Sequence, residues 1–165
     1  WGPDLDDHFV ENGHGENVFD FTTNVPFVLA GPGVEPGTVD AQVRQIDILP
    51  TLLDALGVEY DADGEVVEPG VEDRVAYMRA CGASLHGERN WARAVRHDDA
   101  KYIEYPERDW APAVYDLDEH PRELERVDDP DLEADLRERL PERGVDPTEV
   151  EMLEINERLE DLGYL

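Results

Sequence analysis

Residues 25–58, VPFVLAGPGVEPGTVDAQVRQIDILPTLLDALGV, set an apolar run, a Pro/Gly turn and a helix with defined ends in a fixed order. Val25, Phe27, Val28, Leu29 and Ala30 are nearly continuous and are closed by Gly31-Pro32-Gly33, the pattern of a strand covered on both faces of a parallel sheet. Asp47 precedes Ile48-Leu49-Pro50, so its carboxylate is expected to cap the free N–H groups of a first helical turn, where Pro50 costs little. Leu49, Leu52, Leu53 and Leu56 fall at i, i+3, i+4 and i+7, one apolar helix face, and Gly57 is suited to a left-handed C-cap. The segment therefore predicts an α/β unit of buried strand, loop and packed helix.

In that order the pieces resemble the C-terminal half of the sulfatases, in the alkaline phosphatase superfamily. Members carry a VP-plus-apolar strand, a G-P-G turn and a D-(I/L)-x-P-T-L-L-x-x-x-G helix, matched here by Val25-Pro26, Gly31-Pro32-Gly33 and Asp47-Ile48-Leu49-Pro50-Thr51-Leu52-Leu53 with Gly57. Ala94-Val95-Arg96 with Lys101-Tyr102-Ile103 is similar to the family's "vR...KYI" hairpin. Val114-Tyr115-Asp116-Leu117-Asp118, then His120-Pro121 and Glu123-Leu124, is similar to its "LYDL..DP.EL" strand and turn. The resemblance spans residues 14–128. It implies hydrolysis of a sulfate ester on a sulfated small molecule or polysaccharide, with phosphatase and phosphodiesterase siblings as the alternative within the superfamily.

The resemblance also implies a formylglycine nucleophile made from the Cys or Ser of a C/S-x-P-x-R motif. It further implies Ca²⁺ or a similar divalent metal, bound mainly by residues outside this chain. Cys81, the sole cysteine, lies in Ala80-Cys81-Gly82-Ala83-Ser84 without Pro or Arg at the required offsets and is not that nucleophile. Asp7-His8 lacks both the following glycine and the preceding apolar strand of the family's D-H-G metal motif, so it reads as an acidic loop. The chain opens on Trp1 and is expected to be a piece of a longer polypeptide, inactive alone, with its N-terminal remainder as an obligatory partner.

His14 is the candidate catalytic residue. His14-Gly15, followed by Val18-Phe19-Asp20 and Pro26, is similar to the family's "HG...(Y/F)D...VP" segment, which implies a basic group contacting the sulfate or phosphate. A cation aimed at non-bridging oxygens stabilises a transition state that gathers charge there, and an imidazolium can protonate a departing alkoxide near neutral pH. Read from the residues alone, a histidine between two glycines equally suits a surface turn. Arg96 and Lys101, which flank the turn His97-Asp98-Asp99-Ala100, read as ordinary surface strand charges, and His86 and His120 as exposed turn residues.

Charge constrains the setting. There are 42 acidic and 14 basic residues, a net charge of −28, and Lys101 is the sole lysine. Such an excess repels itself until salt shortens the Debye length to ~3 Å near 1 M, so a halophilic source is expected. Nucleic-acid binding through phosphate neutralisation is excluded at this charge. A hydrophobic content of 40% argues against a disordered acidic tail. No apolar run approaches the ~18 residues of a membrane span. The compartment, cytoplasmic or extracellular, is left open.

The expected architecture is α/β, the C-terminal part of an alkaline-phosphatase-like α/β sandwich with a small antiparallel-sheet-plus-helix subdomain. Residues 1–60 are assigned to the larger domain, 61–71 to a linker rich in Asp, Glu and Gly, and 72–165 to the subdomain. Four strands are predicted near residues 75–78, 91–96, 101–105 and 113–117. A helix with Leu132, Leu136 and Leu140 on one side follows, capped by Asp128 or Asp129, and a last helix begins near Asp146. A non-catalytic domain that binds a partner through the small sheet is the alternative of another class.

Overall fold

The computed structural model describes residues 17–32, 34, 36–80, 92–106 and 109–141. Its centre is an antiparallel meander of four strands in the order β1-β2-β3-β4: β1 Ala76–Ala80, β2 Ala92–His97, β3 Ala100–Glu104 and β4 Ala113–Asp116. Register follows from the two-residue turn between β2 and β3, where His97 pairs with Ala100 and Arg96 with Lys101. Asp98 takes φ 50° in that turn, a conformation an aspartate tolerates better than most residues. The four-stranded sheet expected from the Val- and aromatic-rich runs is thus present.

Both faces of the sheet are covered, which matches the apolar residues that alternate onto each face. On one face Val95, Tyr102 and Val114 pack against Leu136 and Leu140 of and just beyond helix α3 (Pro130–Arg139). Asp129 caps α3 as expected, its Oδ1 accepting from the N–H groups of Asp131 and Leu132 at 3.1 and 3.0 Å. On the other face Ala80, Ala92, Ala94, Ile103, Ala113 and Tyr115 enclose Val18, which is 1% exposed, and Phe19 meets Tyr115 edge-on at 6.1 Å. The alanines leave room for this incoming segment, which continues into the short helix α1 (Asp20–Thr23).

Helix α2 (Ile48–Ala55) follows a single 3₁₀ turn, Gln45–Asp47, and ends as the sequence predicts. Gly57 sits at φ 67°, its N–H donating to Asp54 O and that of Val58 to Leu53 O, a Schellman closure. Two expectations fail here. Asp47 makes no capping bond to α2; its carboxylate is drawn instead to arginine side chains. The leucine face of α2 is not packed either: Leu49, Leu52 and Leu56 are exposed, and Thr51 is the helix's buried residue.

The run 25–30 also departs from its expected buried strand. It enters no ladder, and Val25 and Val28 are 64% and 85% exposed. A strand exists only where a neighbour accepts its backbone hydrogen bonds, and no described strand lies beside this one. Residues 25–58 therefore leave the large apolar side chains of Val25, Phe27, Val28, Leu49, Leu52 and Leu56 exposed. The last expected helix, from Asp146, lies outside the described residues. Among the described residues no helix is long and apolar enough to cross a membrane.

Candidate functional site

Two ionic clusters organise the segments before the sheet, and the first also ties them to the sheet. The first is centred on Lys101. Expected as a surface charge, it is 0% exposed, because its place in β3 directs it to the face that receives Val18 rather than to solvent. Its Nζ donates to Asp20 Oδ1 at 2.5 Å and to Glu123 Oε1 at 2.8 Å. Glu123 Oε2 in turn accepts the backbone N–H of Asp20 at 2.6 Å, so the two carboxylates hold the ammonium between them while one grips the other's main chain.

Arg96, the cross-strand neighbour of Lys101, completes this cluster. Its Nε lies 3.5 Å from Asp20 Oδ2, an ion-pair distance, and its Nη1 donates to Gln42 Oε1. Arg96 is only half-buried, so it too departs from the expected surface role. Two cations face two carboxylates, which is the condition under which buried charge is tolerated. Residue Glu123 adopts φ 53°, and the turn that carries it is closed by its N–H donating to His120 O. His120 is half-buried, 3.8 Å from Glu125.

The second cluster is centred on Asp47, also 0% exposed. Its carboxylate accepts from Arg44 N at 2.9 Å, Arg44 Nη2 at 2.9 Å and Glu65 N at 3.0 Å, and pairs with Arg74 Nη1 at 2.7 Å. Burial alone would raise the pKa of Asp47, but the hydrogen bonds from Arg44, Glu65 and Arg74 outweigh it and hold the group well below the usual carboxylate range. Thr51 Oγ1 donates to Asp47 O at 2.6 Å and accepts from Val67 N at 2.9 Å, tying α2 to the same node. Gly64 allows this closure, since a Cβ there would stand 2.1 Å from Ile46 O.

In these clusters the Asp47 and Glu123 carboxylates and the Lys101 ammonium are engaged by other protein groups, whereas Arg96 Nε, buried and 3.5 Å from Asp20 Oδ2, has no hydrogen-bond partner. Among the described residues no group of three or more His, Cys, Asp or Glu is placed to hold a metal ion. His14, Asp7, His8, Cys81 and His86 lie outside the described residues. At the first described residues, Asn17 accepts through Oδ1 from Phe19 N at 3.2 Å and Thr22 Oγ1 at 2.8 Å. A shallow cleft is lined by Pro50, Leu53, Asp54, Gly57, Val58, Glu59, Tyr60 and Val66.

Known structures bear on this arrangement. A provisionally assigned sulfatase from Bacteroides thetaiotaomicron superposes with a TM-score of 0.60 at 26% identity, over 74% of this chain and 29% of that one. The fold is sulfatase-like. Two looser neighbours are a protein solved with its substrate D-glucosamine-2-N,6-O-disulfate and the phosphonate monoester hydrolase of Agrobacterium radiobacter. The first has TM-score 0.45 and 21% identity over 69% of this chain and 23% of its own, and the second 0.42 and 22% over 77% and 26%. No family model matches the sequence. The chain thus corresponds to less than a third of the length of the sulfatase-type structures it resembles.

The Lys101 cluster is not legible from sequence because its members are far apart in the chain. Asp20 and Lys101 are 81 positions apart and Lys101 and Glu123 are 22 apart, so no local spacing marks them. One signal was available. A chain with a single lysine among 14 basic residues sets it in a strand beside Tyr102 and Ile103, which suits burial better than solvent exposure.

Proposed function

We propose that this chain is part of a sulfate-ester hydrolase whose nucleophile and most metal ligands are contributed by sequence outside it. The observation that carries the reading is the likeness at TM-score 0.60 to a sulfatase-type structure, on a chain whose motifs run in sulfatase order. The apolar surface of residues 25–58 supports the second half of the proposal. Val25, Phe27, Val28, Leu49, Leu52 and Leu56 would together expose more apolar surface than a free-standing domain tolerates, and burial is favourable by about 25 cal/mol per Å². This surface is where the remainder of the enzyme docks, with residues 25–30 gaining the strand partner they lack.

In the complete enzyme a divalent metal would supply charge neutralisation at the ester, and His14 would contribute from this chain. As the nucleophile from outside this chain bonds to sulfur, the bond between sulfur and the leaving oxygen breaks, its electron pair passes to that oxygen, and the His14 imidazolium can donate its proton there. A test follows directly. The reading frame upstream of Trp1 is expected to encode a C/S-x-P-x-R motif, and the full-length protein to hydrolyse 4-nitrophenyl sulfate in preference to the phosphate or phosphonate ester. The isolated 165-residue chain should release no nitrophenol. Turnover by that chain alone, or a full-length protein acting on none of the three esters, would overturn the proposal.

A further inference from the structure

The close approach of Gly64 to the turn before α2 leaves no room for a side chain: a Cβ there would stand 2.1 Å from Ile46 O and 2.9 Å from Asp47 N. The residue before it is an aspartate, and Asp63 is the sole aspartate of the sequence that precedes a glycine. The two lie in a bend between α2 and β1, where Asp63 is exposed and its carboxyl group makes no hydrogen bond or ion pair with the described residues. Glu65, by contrast, is held on three sides. Its N–H donates to Asp47 Oδ1 at 3.0 Å, its carbonyl accepts from Arg74 Nη1 at 3.0 Å, and its carboxylate pairs with Arg44 Nη2 at 2.8 Å. A free carboxyl group is thus set beside a peptide nitrogen whose own residue has no Cβ to crowd an approach.

We propose that Asp63-Gly64 is a site of spontaneous modification, at which the Gly64 nitrogen attacks the protonated Asp63 carboxyl to give a five-membered succinimide and then an isoaspartate. In the first step the bond from Gly64 N to Asp63 Cγ forms, the Cγ–OH bond breaks, and the hydroxyl leaves as water with the amide proton. Water then adds to one of the two imide carbonyls. Cleavage at Cγ restores Asp63, whereas cleavage at the original backbone carbonyl leaves the main chain running through Cβ and Cγ. One water is released and one is taken up, so the conversion needs no oxidant, reductant or cofactor, and the product keeps the mass of the starting protein.

The isomer lengthens the main chain between residues 63 and 64 by one methylene, roughly 1.5 Å. Gly64 is pressed against the Ile46-Asp47 peptide and has no space to move toward it, so the added length pushes residue 65 outward and lifts its N–H from Asp47 Oδ1. Chemistry at an exposed bend therefore reaches the buried Asp47 carboxylate, which loses one of its donors.

The test incubates the full-length protein at mildly acidic pH, either folded or unfolded in urea. Its peptides are then separated by reversed-phase chromatography, where the isoaspartyl form of the peptide spanning residue 63 elutes apart at identical mass. Isoaspartate at residue 63 should accumulate in the folded protein within about 10-fold of the rate in the unfolded chain, since an exposed bend reacts without the global unfolding that would slow it by at least about 10³-fold. Asp63→Glu, which would have to close a six-membered ring, should form none. The purified isoaspartyl form should unfold at a lower urea concentration than the unmodified protein, while Asp63→Glu keeps its midpoint through the same incubation. Absence of isoaspartate at residue 63, or a folded-state rate below that 10-fold window, overturns the site. An isoaspartyl form with an unchanged midpoint overturns the link to Asp47.

Discussion

Asp47→Asn removes one negative charge from the centre of a buried cluster while keeping its shape, so it isolates what that charge contributes. Arg44, Arg74 and Glu65 N all converge on the carboxylate. Stripping one partner from a buried ion pair costs about 3–5 kcal/mol. Here the arginines keep other partners: Arg44 Nη2 holds Glu65 Oε1 at 2.8 Å, and Arg74 donates to Glu65 O at 3.0 Å and Val66 O at 2.8 Å. Those contacts limit the loss to about 2–4 kcal/mol, and a central 3 kcal/mol corresponds to a fall in Tm of about 6–12 °C for a domain of this size.

Urea unfolding followed by tryptophan fluorescence measures this at each pH. Because the folded-state pKa of Asp47 is depressed, its stabilisation is complete above the unfolded carboxylate value of about 3.9 and is lost as pH falls through that value toward the folded one. The gap between wild type and Asp47→Asn should therefore be constant from pH 7 to about pH 5 and shrink steadily below about pH 4. A gap under 0.5 kcal/mol at neutral pH, or one that stays constant down to pH 3, would refute the view of Asp47 as an ionised hub.

Other expected outcomes test separate parts of the molecule. Leu136→Ala, at a position 1% exposed under the sheet, should cost about 2–5 kcal/mol in urea titrations, and a loss below 1 would mean that α3 is not docked as described. Gly64→Ala places a methyl group 2.1 Å from Ile46 O and should cost about 1–3 kcal/mol by prying residue 64 from the turn before α2; an unchanged midpoint would contradict that close approach. With a net charge of −28, Tm should rise between 0.1 and 2 M KCl as the Debye length falls from ~10 Å to below ~3 Å, and a flat profile would show that self-repulsion does not limit stability.

The legible parts of this fold are those whose signals are local. Four β-rich runs, a two-residue turn at Asp98-Asp99, the Asp129 cap and the Gly57 closure each declare themselves within a few residues, and each is present. The misread parts depend on distant partners. Asp47 has the look of a helix cap until Arg74, 27 positions on, claims its carboxylate, and Lys101 reads as a surface charge until Asp20 and Glu123 arrive from either side. The run 25–30 shows the reverse case, a strand-like sequence with no described strand to pair with. Its composition anticipates a neighbour that the described residues do not supply.

The enclosure of Lys101 also makes the protein a reporter of its own integrity. It is the chain's sole lysine and has no solvent exposure, so an amine-reactive reagent applied to the folded protein can attach only at the α-amino terminus. A second adduct appears only when the sheet face opens. The rate of acquiring it, read by intact mass, would time the separation of α1 from β3 without any introduced probe, and a lysine-specific protease would cut the chain at one place and only after that event.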